Sequence, residues 1–109
     1  MEQMEGNAPD GSPVRVDLSQ GRRVVYFMTS SCRPCLTLWP RLAPGDLVVT
    51  PSPSTESRRK VASLAPDGVT VVMSSETWFA FRPGPAPWRV VVVDGIPVES
   101  GPASGQAGS

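Results

Sequence analysis

Histidine is absent from this sequence, and cysteine occurs only twice. Without histidine, a Ser–His or Cys–His catalytic pair is excluded, and so is the commonest metal ligand. An excess of either charge is also missing. Ten basic side chains offset ten acidic ones, which leaves no electrostatic ground for binding nucleic acid or an anionic membrane surface. No apolar run approaches the roughly 20 residues that a membrane-spanning helix requires. The opening Met1-Glu2-Gln3-Met4-Glu5-Gly6 is acidic and polar, unlike a secretory signal. The chain therefore reads either as cytoplasmic or as a soluble domain separated from an upstream anchor. There is no internal repeat. A length of 109 residues supports one domain and one modest core.

Proline and glycine are plentiful, at 13 and 10, so the loops are many and stiff. Residues 1–13 are polar and read as a flexible leader. Val14-Arg15-Val16-Asp17-Leu18 alternates as a short half-buried strand does. After Gly21 a central strand is expected over 22–28, and a helix over 33–43 that Pro40 should kink. Leu47-Val48-Val49-Thr50 suits a buried strand. Ser54 or Thr55 can cap a helix running to about Ala65, with Val61, Leu64 and Ala65 on its apolar face. Arg58-Arg59-Lys60 in that helix reads as a solvated face or as a docking patch for an acidic partner. Val69-Thr70-Val71-Val72-Met73 is a further strand, and Ser75 a cap for a short helical turn. That turn carries Trp78, Phe79 and Phe81, most of which should be core. Trp88 to Val93 and Ile96 to Glu99 flank Asp94-Gly95, a strong two-residue hairpin signal. Pro97 assigns the returning strand to a sheet edge. Residues 101–109 form a Gly/Ser/Ala tail with nothing to bury. This order of elements predicts an α/β fold, a mixed sheet whose parallel strands are joined through helices.

The chemistry concentrates at the junction of the central strand and its helix, Ser31-Cys32-Arg33-Pro34-Cys35. A thiol at a helix start feels unpaired N–H groups and the positive dipole end, which favour thiolate. Arg33 adds a permanent cation beside Cys32, and Pro34 falls where a helix start tolerates proline. Three readings compete for the pair. Half of a structural zinc site would need two more ligands, and no other Cys or His exists, so only a homodimer or carboxylates could complete it. A purely structural disulfide across so short a loop removes little entropy from the unfolded chain. A redox-active dithiol fits every neighbouring feature.

Strand, Cys-x-x-Cys and helix, with Pro40 eight residues beyond Cys32, resemble the active-site segment of the thioredoxin superfamily. Val16-Asp17-Leu18-Ser19-Gln20-Gly21-Arg22-Arg23 before the apolar strand is similar to bacterial membrane-tethered proteins of the TlpA and redoxin type. The resemblance covers about residues 14–100. It implies a thioredoxin-like fold with the family's C-terminal helix missing, and a thiol–disulfide oxidoreductase. Cys32 and Cys35 would be catalytic, with Arg33 and Pro34 tuning the thiol and no cofactor or metal required. Pro87 occupies the place of the family's cis-proline, so Ala86 and Pro87 are expected to face the dithiol and hold a substrate backbone. The implied partners are protein dithiol or disulfide substrates and an upstream redox partner, and the implied state is a monomer, extracytoplasmic if tethered. Two positions depart from the family pattern: Ser31 stands where tryptophan is usual, and Tyr26 where a buried aspartate is. The direction of electron flow is left open by them. The alternative function is a non-catalytic thioredoxin-like binding module.

Overall fold

Val24-Val25-Tyr26-Phe27 turns its side chains alternately to two buried faces, and that makes the sheet the middle layer. The computed structural model describes residues 3–103. Its strands are β1 (Gln3–Asn7), β2 (Pro13–Asp17), β3 (Arg22–Phe27), β4 (Leu47–Thr50), β5 (Thr70–Met73), β6 (Trp88–Val93) and β7 (Ile96–Pro102). The helices are α1 (Arg33–Leu38), α2 (Arg58–Leu64) and α3 (Ser75–Phe81). One sheet of order β2-β1-β5-β4-β3-β6-β7 results. β3, β4 and β5 run parallel, as strands joined by helical crossovers do. β6 returns antiparallel against β3, and β7 closes the edge as a hairpin. Asp94 and Gly95 both have positive φ, 50° and 83°, the backbone of a primed two-residue turn.

Each face of the sheet carries its own core. Tyr26, Val48, Val71 and Met73 pack with Cys35, Leu38 and Trp39 and with Val61 of α2. Val25, Phe27, Val49, Val72, Val90 and Val92 pack with Met4 and Leu18, and with Trp78 and Phe81 of α3. Phe27 meets Trp78 edge-on at a centroid distance of 5.5 Å. Phe79, on the other side of α3, is 74% exposed.

The expected flexible leader over 1–13 is corrected in part, because Gln3–Asn7 is a strand paired along its length with β2. The reason is a single apolar anchor and a well-made turn. Met4 is fully buried, and at the turn Ser12 gives its hydroxyl and N–H to Asp10 Oδ1 at 2.6 and 2.9 Å. Those two donors hold the Asp10 carboxyl below the usual carboxylate range. A Cβ on Gly6 would lie 2.7 Å from the Met73 carbonyl oxygen, so β1 reaches β5 only because residue 6 has no side chain. Gly6→Val should accordingly destabilise the fold by about 1–3 kcal/mol. Urea unfolding should show a lower midpoint at unchanged slope, and an unshifted midpoint would mean that β1 does not dock there.

Smaller corrections have equally local causes. The tail expected from 101 onward starts later, since β7 runs to Pro102 and Ala103 is fully buried; residues 104–109 lie outside the described residues. The first helix ends at Leu38, and Trp39–Arg41 continue as a 3-10 turn. Pro40 has no N–H to give to the carbonyl four residues back, so the α-helix stops there instead of running kinked to 43. α2 is capped by Ser57, whose Oγ accepts the Lys60 N–H. α3 is capped by Ser74. Among the described residues no helix follows β7, and Ile96 and Val98 on that edge strand are exposed.

Candidate functional site

β3 ends at Phe27, and five residues, Met28 to Cys32, carry the chain from the sheet to α1. Past Met28, whose N–H the Val49 carbonyl accepts at 3.1 Å, side chains fix the loop. Thr29 Oγ1 accepts the Cys32 N–H at 3.0 Å. The Thr29 carbonyl accepts the indole Nε1–H of Trp39 at 3.2 Å. Ser30, only 2% exposed, gives its N–H to Glu56 Oε2 at 3.1 Å and its hydroxyl to Glu56 Oε1. The loop is thereby held from the 3-10 turn after α1 on one side and from the β4–α2 connection on the other.

Cys32 is the N-cap of α1, and its Sγ accepts the Cys35 N–H at 3.2 Å. An N–H aimed at the sulfur, together with the orphan donors of the helix start, favours sulfur carrying negative charge. Pro34 is the second helical residue, where its missing N–H would have no intrahelical partner. Arg33 and Pro34 are exposed. Cys32 and Cys35 are joined as a disulfide, their Cα atoms 5.1 Å apart. The two sulfurs differ in surroundings: Cys32 is half-buried, whereas Cys35 is fully buried. Behind Cys35, in the same core, lies Tyr26.

The loop before β6 meets the dithiol from the opposite side. The Ala86–Pro87 peptide bond is cis, and the Ala86 carbonyl oxygen lies 3.5 Å from Cys32 Sγ. Pro87 is buried, and its carbonyl accepts the Ala103 N–H at 3.0 Å, tying the loop to the end of β7. Residues named from the sequence at positions 32–35 and 86–87 therefore converge, although 54 positions separate Cys32 from Ala86. Among the described residues no three of His, Cys, Asp or Glu gather as a metal site requires. A cleft of about 800 Å³ opens elsewhere, between β1, β2 and α3. None of the dithiol residues lines it, so the site rests on its chemistry and not on cavity size.

No family model matches the sequence, and no curated protein matches it significantly. Solved structures do match. The exposed lipoprotein thioredoxin Etrx1 of Streptococcus pneumoniae aligns with a TM-score of 0.71 at 17% identity, over 92% of this chain and 88% of that one. The fold is thioredoxin-like. A secreted disulfide oxidoreductase from Mycobacterium tuberculosis shares this fold with a TM-score of 0.65 and 16% identity, over 90% and 80% of the two chains. A thiol:disulfide interchange protein from Chlorobium tepidum, of the thioredoxin family, gives 0.61 and 18%, over 94% and 86%. Within the thioredoxin-like frame, the dithiol sits at the C-terminal end of a parallel strand, where α/β sheets place their sites.

Three residues of this frame escaped the sequence reading. Thr29 carried a usable signal, a hydroxyl three residues before a cap, where side chains pair with backbone N–H groups. Trp39 reads as core from its spacing, but nothing in the sequence shows where its indole N–H points. Glu56 carries no signal at all, being one acid in a hydroxyl-rich linker.

Proposed function

We propose that this protein is a thiol–disulfide oxidoreductase that exchanges its Cys32–Cys35 disulfide with protein dithiols. The observation that carries the reading is the asymmetry of the pair: a half-buried Cys32 has its sulfur against the Ala86 carbonyl, whereas Cys35 is fully buried. In the reducing direction the Cys32 thiolate attacks one sulfur of a substrate disulfide and forms a mixed disulfide. The other substrate sulfur leaves as thiolate and takes a proton. Cys35 then gives up its proton and attacks Cys32 Sγ, and the second substrate sulfur leaves in the same way. Two electrons and two protons have passed to the substrate, and Cys32–Cys35 is oxidised. The reverse steps oxidise a substrate dithiol. The Ala86 backbone, whose carbonyl lies beside the attacked sulfur, would pair with an extended substrate strand.

The names of the matching solved proteins support this chemistry, and they support a place of action outside the cytoplasm, since one is a secreted protein and another an exposed lipoprotein. We read the chain as a bacterial TlpA- or redoxin-type domain, kept supplied with electrons or oxidant by an upstream partner. Disulfide reduction of insulin should proceed with the wild type and fall to background with Cys32→Ser. Equal rates for the two proteins would leave the binding-module reading in its place. A second expectation concerns Arg33. Its cation beside Cys32 favours thiolate, so Arg33→Gln should raise the pH midpoint for Cys32 alkylation by a fraction of a unit to about one unit. An unmoved midpoint would mean that the guanidinium is too well solvated to act.

A further inference from the structure

Ser30 poses a problem that a neutral side chain could have solved. It lies two residues before Cys32, only 2% exposed, with a backbone N–H and a hydroxyl that both need partners. Both go to a single carboxylate, that of Glu56, 26 positions away. An ionised carboxylate is acceptor only, and its two oxygens match the N–H and O–H of one serine. Glu56 Oε1 also accepts the N–H of Ser57 at 3.2 Å, and Ser57 caps α2. One side chain thus joins the start of α2 to the loop that presents the nucleophile. It also brings a negative charge there. Two residues span at most about 7 Å, so the charge sits on the order of 10 Å from the sulfur.

We propose that Glu56 is a positioning residue for the dithiol: it clamps the Ser30 segment so that Cys32 is presented, and its charge opposes that of Arg33 at the Cys32 thiolate. The proposal rests on the reading of Cys32–Cys35 as a redox couple. Its signature separates it from a merely structural hydrogen bond. A structural role would change stability alone, whereas a charge near the sulfur changes the balance between dithiol and disulfide.

The test is the equilibrium of wild type, Glu56→Gln and Glu56→Asp with glutathione, at a pH above the Cys32 alkylation midpoint. Removing the anion stabilises the thiolate, so Glu56→Gln should shift the equilibrium toward dithiol. The shift should be about threefold to tenfold, the size expected of one charge at that distance near a protein surface. That fold-change corresponds to about 15–30 mV. Glu56→Asp keeps the charge and should stay within about twofold of wild type. An unshifted Glu56→Gln, or an equal shift in both variants, overturns the proposal. Amide hydrogen exchange of the wild type needs no variant to fold: the Ser30 N–H should be protected, and exchange as fast as that of an exposed loop overturns the clamp. If wild type itself fails to equilibrate with glutathione, the functional reading falls and the role of Glu56 with it. If wild type exchanges and Glu56→Gln matches it, only the role of Glu56 falls.

Discussion

Cys35→Ser should accumulate mixed disulfides with substrate proteins, whereas Cys32→Ser should form none and lose exchange activity by on the order of 10³-fold or more, as removal of a nucleophile does. The asymmetry follows from position. Cys32 caps α1, half-buried, with an N–H donated to its sulfur. Cys35 is fully buried among Tyr26, Leu38 and Trp39. On the proposed function a substrate disulfide would meet the half-buried sulfur before the buried one, so Cys32 would form the intermolecular bond and Cys35 would resolve it. Non-reducing gels of each serine variant, incubated with a disulfide-containing substrate, check the assignment. Equal trapping by both variants would mean that the second sulfur is reachable, and the roles as drawn would be wrong.

The largest effect on stability should come from Trp39→Ala. This indole is fully buried, and truncating a core tryptophan to alanine costs about 3–5 kcal/mol. The Thr29 carbonyl loses its donor as well, a further cost of about 1–3 kcal/mol if water cannot replace it. Against a total of roughly 5–15 kcal/mol for a domain of this kind, the variant should be largely unfolded or close to it in mild denaturant. Trp39→Phe keeps most of the packing and removes the N–H, so it should cost about 1–3 kcal/mol. It should also slow alkylation of Cys32, because Thr29 holds the Cys32 N–H and Trp39 holds Thr29. Val72→Ala, in the core on the opposite face, is the control: it should lower stability with the alkylation rate unchanged. Urea melts and alkylation kinetics on the three variants measure both quantities. A Trp39→Phe protein with wild-type alkylation would detach the indole from the site.

Where apolar residues are dense, the chain could be read directly. Val24–Phe27, Leu47–Val49 and Val90–Val93 became strand interiors because each is an unbroken apolar run. Asp94-Gly95 has the backbone that its residue types favour. The dithiol was found for the same kind of reason, as two cysteines at a change of period from strand to helix. Gln3–Asn7 escaped because Met4 is its one buried apolar residue and its partners come from elsewhere in the chain. The cap of α2 was misplaced because Ser54, Thr55 and Ser57 are all able to cap, and only the tertiary position of the helix selects Ser57. Phe79 is exposed while Trp78 and Phe81 are not, since α3 turns one face to Phe27 and composition alone does not say which. The least readable part is the support beneath the site. Glu56 finds Ser30, and Trp39 finds Thr29, through folding of the whole chain.

The central claim is that Cys32–Cys35 is a working redox couple and not a structural staple. A titration of the wild-type pair through a glutathione redox series, read by alkylation and mass shift, tests it most directly. One two-electron transition should appear, with a midpoint between about −270 and −120 mV, the span of redox-active dithiols of this kind. A pair that stays oxidised through the whole series, with a midpoint below about −300 mV as structural disulfides have, would contradict it.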